Sequence, residues 1–189
     1  MILDDLFKGK LVKLTAARDT DAEEMARWHG NSDYLRNVDT DLAIPQSVHT
    51  LREQDTSKGN GSRTIEFRIR TLSDDALIGF VALHSIEWNN QTGFLAIGIG
   101  NPEFRGKGFG TDALQLILHY AFHECNLNRV GLDVISYNLQ AIKAYERVGF
   151  QMEGAMRCAV LRDGKAYDRM IMGILRDEWQ SQKASVANK

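Results

Sequence analysis

Asn101-Pro-Glu-Phe-Arg-Gly-Lys-Gly-Phe-Gly-Thr-Asp-Ala-Leu114 lies between two segments of different periodicity. Before it, Gly93 to Ile99 reads as an apolar strand. After it, Ala113, Leu114, Ile117, Leu118, Ala121 and Phe122 recur at helical spacing. Between strand and helix, Gly106, Gly108 and Gly110 occupy every second position. Glycine lets the backbone approach a ligand closely and reaches positive φ at little cost. The first turn of a helix also offers unpaired N–H groups at the positive end of its dipole. Together these predict a cradle for phosphate oxygens, with Arg105 and Lys107 adding positive charge.

Two other phosphate loops fail on spacing. A P-loop needs Gly, four residues, then Gly-Lys-Ser/Thr, but Gly106-Lys107 is followed by Gly108, and Asn101 stands five before Gly106. A dinucleotide fingerprint needs G-x-G-x-x-G, whereas these glycines give G-x-G-x-G. Its acidic residue, about twenty positions on, would have to be Asp133, which reads as the inside of a strand.

Arg-Gly-Lys-Gly-Phe-Gly resembles instead the R/Q-x-x-G-x-G/A pyrophosphate loop of the GNAT superfamily of N-acetyltransferases. Ser136-Tyr-Asn-Leu-Gln-Ala-Ile-Lys-Ala-Tyr-Glu-Arg-Val-Gly-Phe150 resembles the second signature of that superfamily, N-x-x-A-x-x-x-Y-x-x-x-G-F. The two occur in the expected order, one helix and one strand apart, and the resemblance covers roughly Leu11 to Leu175. The closing segments, Glu153-Gly-Ala-Met-Arg157 and Arg162 to Leu175, look like the ribosomal-protein and spermidine N-acetyltransferase branch.

Composition fits that reading. A chain of 189 residues, 43% of them apolar, suits one domain with a real core. We read residues 1–180 as a single domain and 181–189 as a polar, frayed tail. A net charge of −2 supplies no global basic field for nucleic acid. No run approaches transmembrane length, and the start lacks a signal-peptide pattern, so a cytoplasmic protein with no membrane partner is expected. Cys125 and Cys158 make neither a disulfide framework nor a zinc site, and no metal is expected.

Taken in order, Leu11 to Leu14 reads as a strand, and Thr20-Asp-Ala-Glu23 as a capping box opening a helix that ends at Gly30 and Asn31. Asn31 to Pro45 reads as polar and irregular, and a second helix runs from near Ser47 to the loop 57–62. Ile65, Phe67 and Ile69 alternate with Glu66, Arg68 and Arg70, a half-buried strand. Leu77 to His84 and Gly93 to Ile99 complete an antiparallel meander. Val130 to Ser136 follows across a helix and should lie parallel to its predecessor. Asp163-Gly164 is a hairpin turn between Ala155–Leu161 and Ala166–Leu175. The fold class is α/β (α+β), a mixed, mostly antiparallel sheet with one parallel, splayed strand pair and flanking helices. Ligands favour the crevice where such strands diverge.

Amine acetylation needs a thioester held still, a neutral amine nitrogen and a proton for the departing thiolate. The resemblance implies acetyl-CoA as cosubstrate, its pyrophosphate on Arg105, Gly106, Lys107, Gly108, Phe109, Gly110 and Thr111. It places the pantetheine arm along Ile97, Gly98 and Ile99, with Asn138 near the cofactor or simply capping a helix. Tyr145 sits on a helix face with Ala141, Ile142 and Val148, and the resemblance implies that it contacts the cofactor and, as general acid, protonates the coenzyme A thiolate. The glutamate that many relatives carry before the glycine loop is missing from Gly93 to Ala96, leaving Glu66, Glu87 or a water chain as the base.

An α-amine with a pKa near 7.8 is about 10–15% neutral at pH 7, and a lysine-like amine only about 0.04%. The missing carboxylate leans toward the former, while Asp33, Asp39 and Asp41 form either a solvated acidic loop or a site that attracts a polycation. Direct attack in a ternary complex on a protein N-terminus, polyamine or other small amine is expected, since neither cysteine is placed as a nucleophile. The alternatives are a non-catalytic acyl-CoA-binding or sensing module and a nucleotide-binding protein. Trp88, Trp179 and the hairpin edge leave room for a homodimer.

Overall fold

The alternation of Glu66, Arg68 and Arg70 with apolar residues does form a strand, but one covered on both faces. In the computed structural model, which describes residues 5–57 and 63–187, Arg68 and Arg70 keep only 2% and 4% of their surface exposed. The first residue of a helix, α1 (Asp21–His29), meets them. The buried Asp21 carboxylate pairs with Arg70 Nη2 and stands 3.9 Å from Arg68 Nε. Two-sided burial, not the expected half-burial, results because charge meets charge across the layer.

The strands are β1 (Val12–Thr15), β2 (Ile65–Thr71), β3 (Leu77–Glu87), β4 (Thr92–Ile99), β5 (Arg129–Ile135), β6 (Gln151–Arg162) and β7 (Lys165–Leu175). Among the described residues they form one sheet in the order β1-β2-β3-β4-β5-β7-β6. All neighbours are antiparallel except β4 and β5. That parallel pair holds register only from Thr92–Arg129 to Phe94–Gly131, and beyond Phe94 the strands part. The mixed sheet and its splayed pair match the expected fold class. Asp163 and Gly164 both take positive φ, 51° and 72°, as a two-residue hairpin turn of this kind requires.

Helices α2 (Ser32–Val38), α3 (Val48–Ser57), α4 (Phe109–His119), α5 (Leu139–Val148) and α6 (Arg176–Ala187) complete the fold. Leu114, Ile117 and Leu118 of α4 and Tyr145 and Val148 of α5 bury one sheet face against Leu95, Val130, Leu132 and Met172. Trp179 joins this core, whereas Trp88 is exposed.

Three local readings change. Thr20 stands at the N-cap of α1 without a side-chain hydrogen bond. Asp21 holds that turn instead, accepting from Arg18 N at 2.9 Å. Asn31 to Pro45 is not wholly irregular: Asn31 Oδ1 accepts from Asp33 N and Tyr34 N and starts α2, which buries Tyr34 and Leu35. The polar tail continues α6 as helix to Ala187. Residues 58–62 of the expected loop lie outside the described residues.

Asp112, in the first turn of α4, fastens β1 to the helix. Its carboxylate accepts from the backbone N–H of Lys10, Leu11 and Val12 at 3.2, 2.7 and 3.0 Å. Asp112→Ala is expected to remove these charge-assisted bonds at a cost of about 2 kcal/mol. In thermal denaturation that corresponds to a Tm about 4–8 °C lower for a chain this long.

Candidate active site

Where β4 and β5 part, the sheet opens into a cleft of about 550 Å³. One wall is the end of β4, a second is the start of α4 with its glycine loop, and a third is α5. The register of β3 on β4 decides which backbone groups face it. Gly100 N donates to Ile78 O at 2.9 Å, so Gly98 pairs with Phe80 by the same two-residue repeat. Ile97 and Ile99 then turn their N–H and C=O toward the cleft. Gly98 itself is spent on β3, and its missing side chain serves packing: a Cβ there would lie 2.7 Å from Phe80 and 2.9 Å from Val38.

The loop residues do what glycine permits. Gly106 and Gly108 adopt φ of 72° and 92°, and Gly108 caps α4 with no side chain over its first amides. The first helical bond runs from Asp112 N to Gly108 O, so Phe109, Gly110 and Thr111 present N–H groups with no intrahelical acceptor. These residues fit a diphosphate. Gly108→Ala would put a side chain at a left-handed φ, costing about 1–2 kcal/mol. If the loop relaxes to escape that cost, affinity for a diphosphate-bearing ligand falls about 5- to 30-fold; equilibrium binding of coenzyme A to the variant and the wild type checks it.

The charges sit differently from the expectation. Arg105 folds back on the strand end, donating to Ile99 O at 3.1 Å, Gly100 O at 3.2 Å and Asp33 at 3.1 Å. It also covers the Tyr34 ring at 5.9 Å. Lys107 does not line the cleft; the basic residues that do so besides Arg105 are Lys143 and Arg147 of α5. Only the helical period of α5 could have shown this, since positions 140, 143, 144 and 147 share a face.

Asn138 caps α5, accepting from Ala141 N at 3.2 Å, and donates from Nδ2 to Asn37 O at 3.2 Å. Tyr137 OH donates to Arg36 O. The turn before α5 is thus strapped to α2, whose Asp33, Tyr34, Asn37 and Val38 also line the cleft. Sequence reading missed α2; the signal was Asn31 as a cap followed by Tyr34, Leu35 and Val38.

Tyr145 lines the cleft and is 8% exposed. Burial first, then the negative charge of Asp133, pushes its hydroxyl pKa well above that of free tyrosine. Glu66 and Glu87 do not line the cleft. Glu66 is ion-paired with Arg68 on β2, and Glu87, exposed at the end of β3, accepts from Asn90 Nδ2 at 2.6 Å. Among the described residues no helix is long and apolar enough to cross a membrane and no cluster could hold a metal.

Comparison with known proteins agrees with this geometry. Residues 12–151 match the acetyltransferase (GNAT) domain. The probable N-acetyltransferase YjcK of Bacillus subtilis is 30% identical over 186 residues, covering 92% of this chain and 98% of the relative. The spermidine N(1)-acetyltransferase of Vibrio cholerae is 33% identical over 103 residues, 54% of this chain and 59% of that one. The crystal structure of spermidine N-acetyltransferase from Vibrio cholerae with CoA and spermine superposes with a TM-score of 0.80 at 25% identity, covering 89% and 98%. The chain therefore belongs to the GNAT family and is an acetyl-CoA-dependent N-acetyltransferase.

Proposed function

We propose that this enzyme moves the acetyl group of acetyl-CoA to a primary amine, a protein N-terminus, a polyamine or another small amine, by direct attack in a ternary complex. The observation that carries the reading is one opening lined at once by the glycine turn, the free edge of β4 and the Tyr145 side chain. The N–H groups of Phe109, Gly110 and Thr111 would hold the diphosphate, and the edge groups of Ile97 with the Ile99 N–H the pantetheine amides, the Ile99 carbonyl being taken by Arg105. Acetyl-CoA supplies the activated carbonyl. Tyr145, kept protonated by burial, supplies the proton that the sulfur needs as the C–S bond breaks.

No thiol among the described residues lines the cleft to accept the acetyl group first. Cys125 is half-buried, and burial followed by the charge of Glu124 pushes its thiol up to about 11. Cys158 is exposed on β6. Direct transfer is the simpler route.

Asp133 on β5 and Asp39 and Asp41 after α2 give the face opposite α4 a negative bias that suits a cationic acceptor, partly offset by Arg169. The kinship with spermidine N-acetyltransferases, and with a putative ribosomal N-acetyltransferase of Bacillus subtilis 33% identical over 112 residues, supports both acceptor classes. The deciding experiment is thiol release from acetyl-CoA across spermidine, spermine, Ala- and Ser-initiated peptides and aminoglycosides. Release with at least one acceptor, without an isolable acetyl-enzyme, is expected. Tight coenzyme A binding with no turnover on the whole panel would mean a binding module instead.

A further inference from the structure

Asp33 is the single carboxylate among the residues that line the cleft, and Arg105 occupies it. The other face of the sheet offers a further proton acceptor. Leu95, Ile97 and Ile99 of β4 pack toward α4, so Phe94, Ala96 and Gly98 point the other way, together with Phe80, Ala82 and His84 of β3. A Cβ on Gly131 would lie 3.3 Å from the Phe94 ring, which puts Gly131, and Asp133 two residues on, on that same face. His84 stands directly opposite Phe94, their rings 6.0 Å apart, and Phe94–Gly131 is the last pair before the strands separate. The imidazole therefore stands level with the last β4–β5 pair, behind the residues that line the cleft, on the sheet face opposite the one that α4 and α5 cover.

We propose that His84 is the general base of the transfer, taking the proton of the acceptor amine directly or through one water. The proposal rests on the amine-acetylation reading above. His84 Nδ1 lies 3.2 Å from Ser85 Oγ, and among the described residues no other hydrogen bond holds the ring, so Nε2 is the nitrogen for the task. The charged groups that face it are Asp133, held by Arg169 at 2.5 and 2.9 Å, and Asp39, beyond the end of α2. Glu66 and Arg68, one strand away on β2, neutralise each other. Burial lowers the imidazole pKa below its ordinary value, outweighing the upward pull of Asp133 and Asp39. The neutral, proton-accepting form is then the resting one at pH 7.

An acceptor that arrives as an ammonium gives one proton to Nε2, which passes it to solvent. The freed lone pair forms the C–N bond at the thioester carbonyl, the C–S bond breaks, and sulfur takes a proton from Tyr145 Oη. The surplus proton on nitrogen leaves by the same imidazole, and solvent reprotonates Tyr145. The sum is ammonium plus thioester giving amide, thiol and one proton.

The test is His84→Asn, measured beside wild type from pH 5.5 to 9.5 with saturating acetyl-CoA and the best acceptor of the panel. The expected result is a kcat about 10²- to 10³-fold lower at pH 7. The acetyl-CoA KM should be unchanged, and the deficit should shrink as pH rises and the acid limb of the wild-type profile disappears. An active wild type with a variant within about threefold of it, far less than a base contributes, overturns His84 and leaves the reaction standing. A wild type that acetylates nothing sinks the reaction and His84 with it. Should the variant fail to bind coenzyme A, the wild-type imidazole decides: its NMR titration must coincide with the acid limb of kcat, and a mismatch overturns the assignment.

Discussion

Tyr145→Phe is expected to cut kcat about 10²- to 10⁴-fold at pH 7 while leaving coenzyme A affinity intact. The substitution removes one hydroxyl and keeps the ring, which packs 5.9 Å from Phe150 inside the core. On the proposed mechanism, what is lost is the proton that sulfur takes as the C–S bond breaks. The sign of the pKa shift sharpens the test. Desolvation disfavours the phenolate, and Asp133 disfavours it further, so the acid stays loaded above the pKa near 10 of free tyrosine. Wild-type kcat should therefore show no alkaline decline from this group below about pH 10. The defect of the variant should persist across that range. Turnover unchanged at both neutral and high pH would remove Tyr145 from the reaction.

Asp21→Ala is expected to cost about 3–5 kcal/mol, the range for breaking a buried ion pair from one side. Asp21 is 2% exposed, and its carboxylate serves Arg70, Arg68 and the Arg18 amide together. Arg70 keeps bonds to Thr15 Oγ1 at 3.2 Å and Asp75 O at 3.3 Å, but neither is an anion. The variant leaves a buried guanidinium without its counter-charge, and α1 loses its hold on β2. Urea unfolding followed by tryptophan fluorescence should report the loss, since Trp28 belongs to that layer. A midpoint equal to wild type would show that solvent reaches the pair and that it is not structural.

Much of this architecture was readable from spacing alone. Asp163-Gly164 specified its turn because both positions need positive φ, and the run from Gly93 to Leu114 specified strand, loop and helix by changes of period. Long-range pairing was not readable. Nothing local in Arg68 and Arg70 announces that an aspartate some fifty residues earlier will let them be buried. Arg105 looked like a phosphate ligand because its neighbours are glycines, yet its guanidinium reaches back to the carbonyls of Ile99 and Gly100. Thr20 and Glu23 had the letters of a capping box, but the burial of Asp21 took over the turn. His84 gave no signal in the sequence, because a histidine within a strand has no distinguishing neighbours until the register places it across from Phe94.

The parallel seam between β4 and β5 is three residue pairs long. Mechanically the sheet is two panels, four strands and three, joined by a short hinge and braced from one side by α4 and α5. Spreading the panels breaks few backbone bonds and instead works against the packing of Leu114, Ile117 and Tyr145, which acts as the spring. A guest that bonds to the edge of β4 and also packs on α5 would bridge the two panels, and the loaded molecule should then resist being pulled apart across that line more stiffly than the empty one.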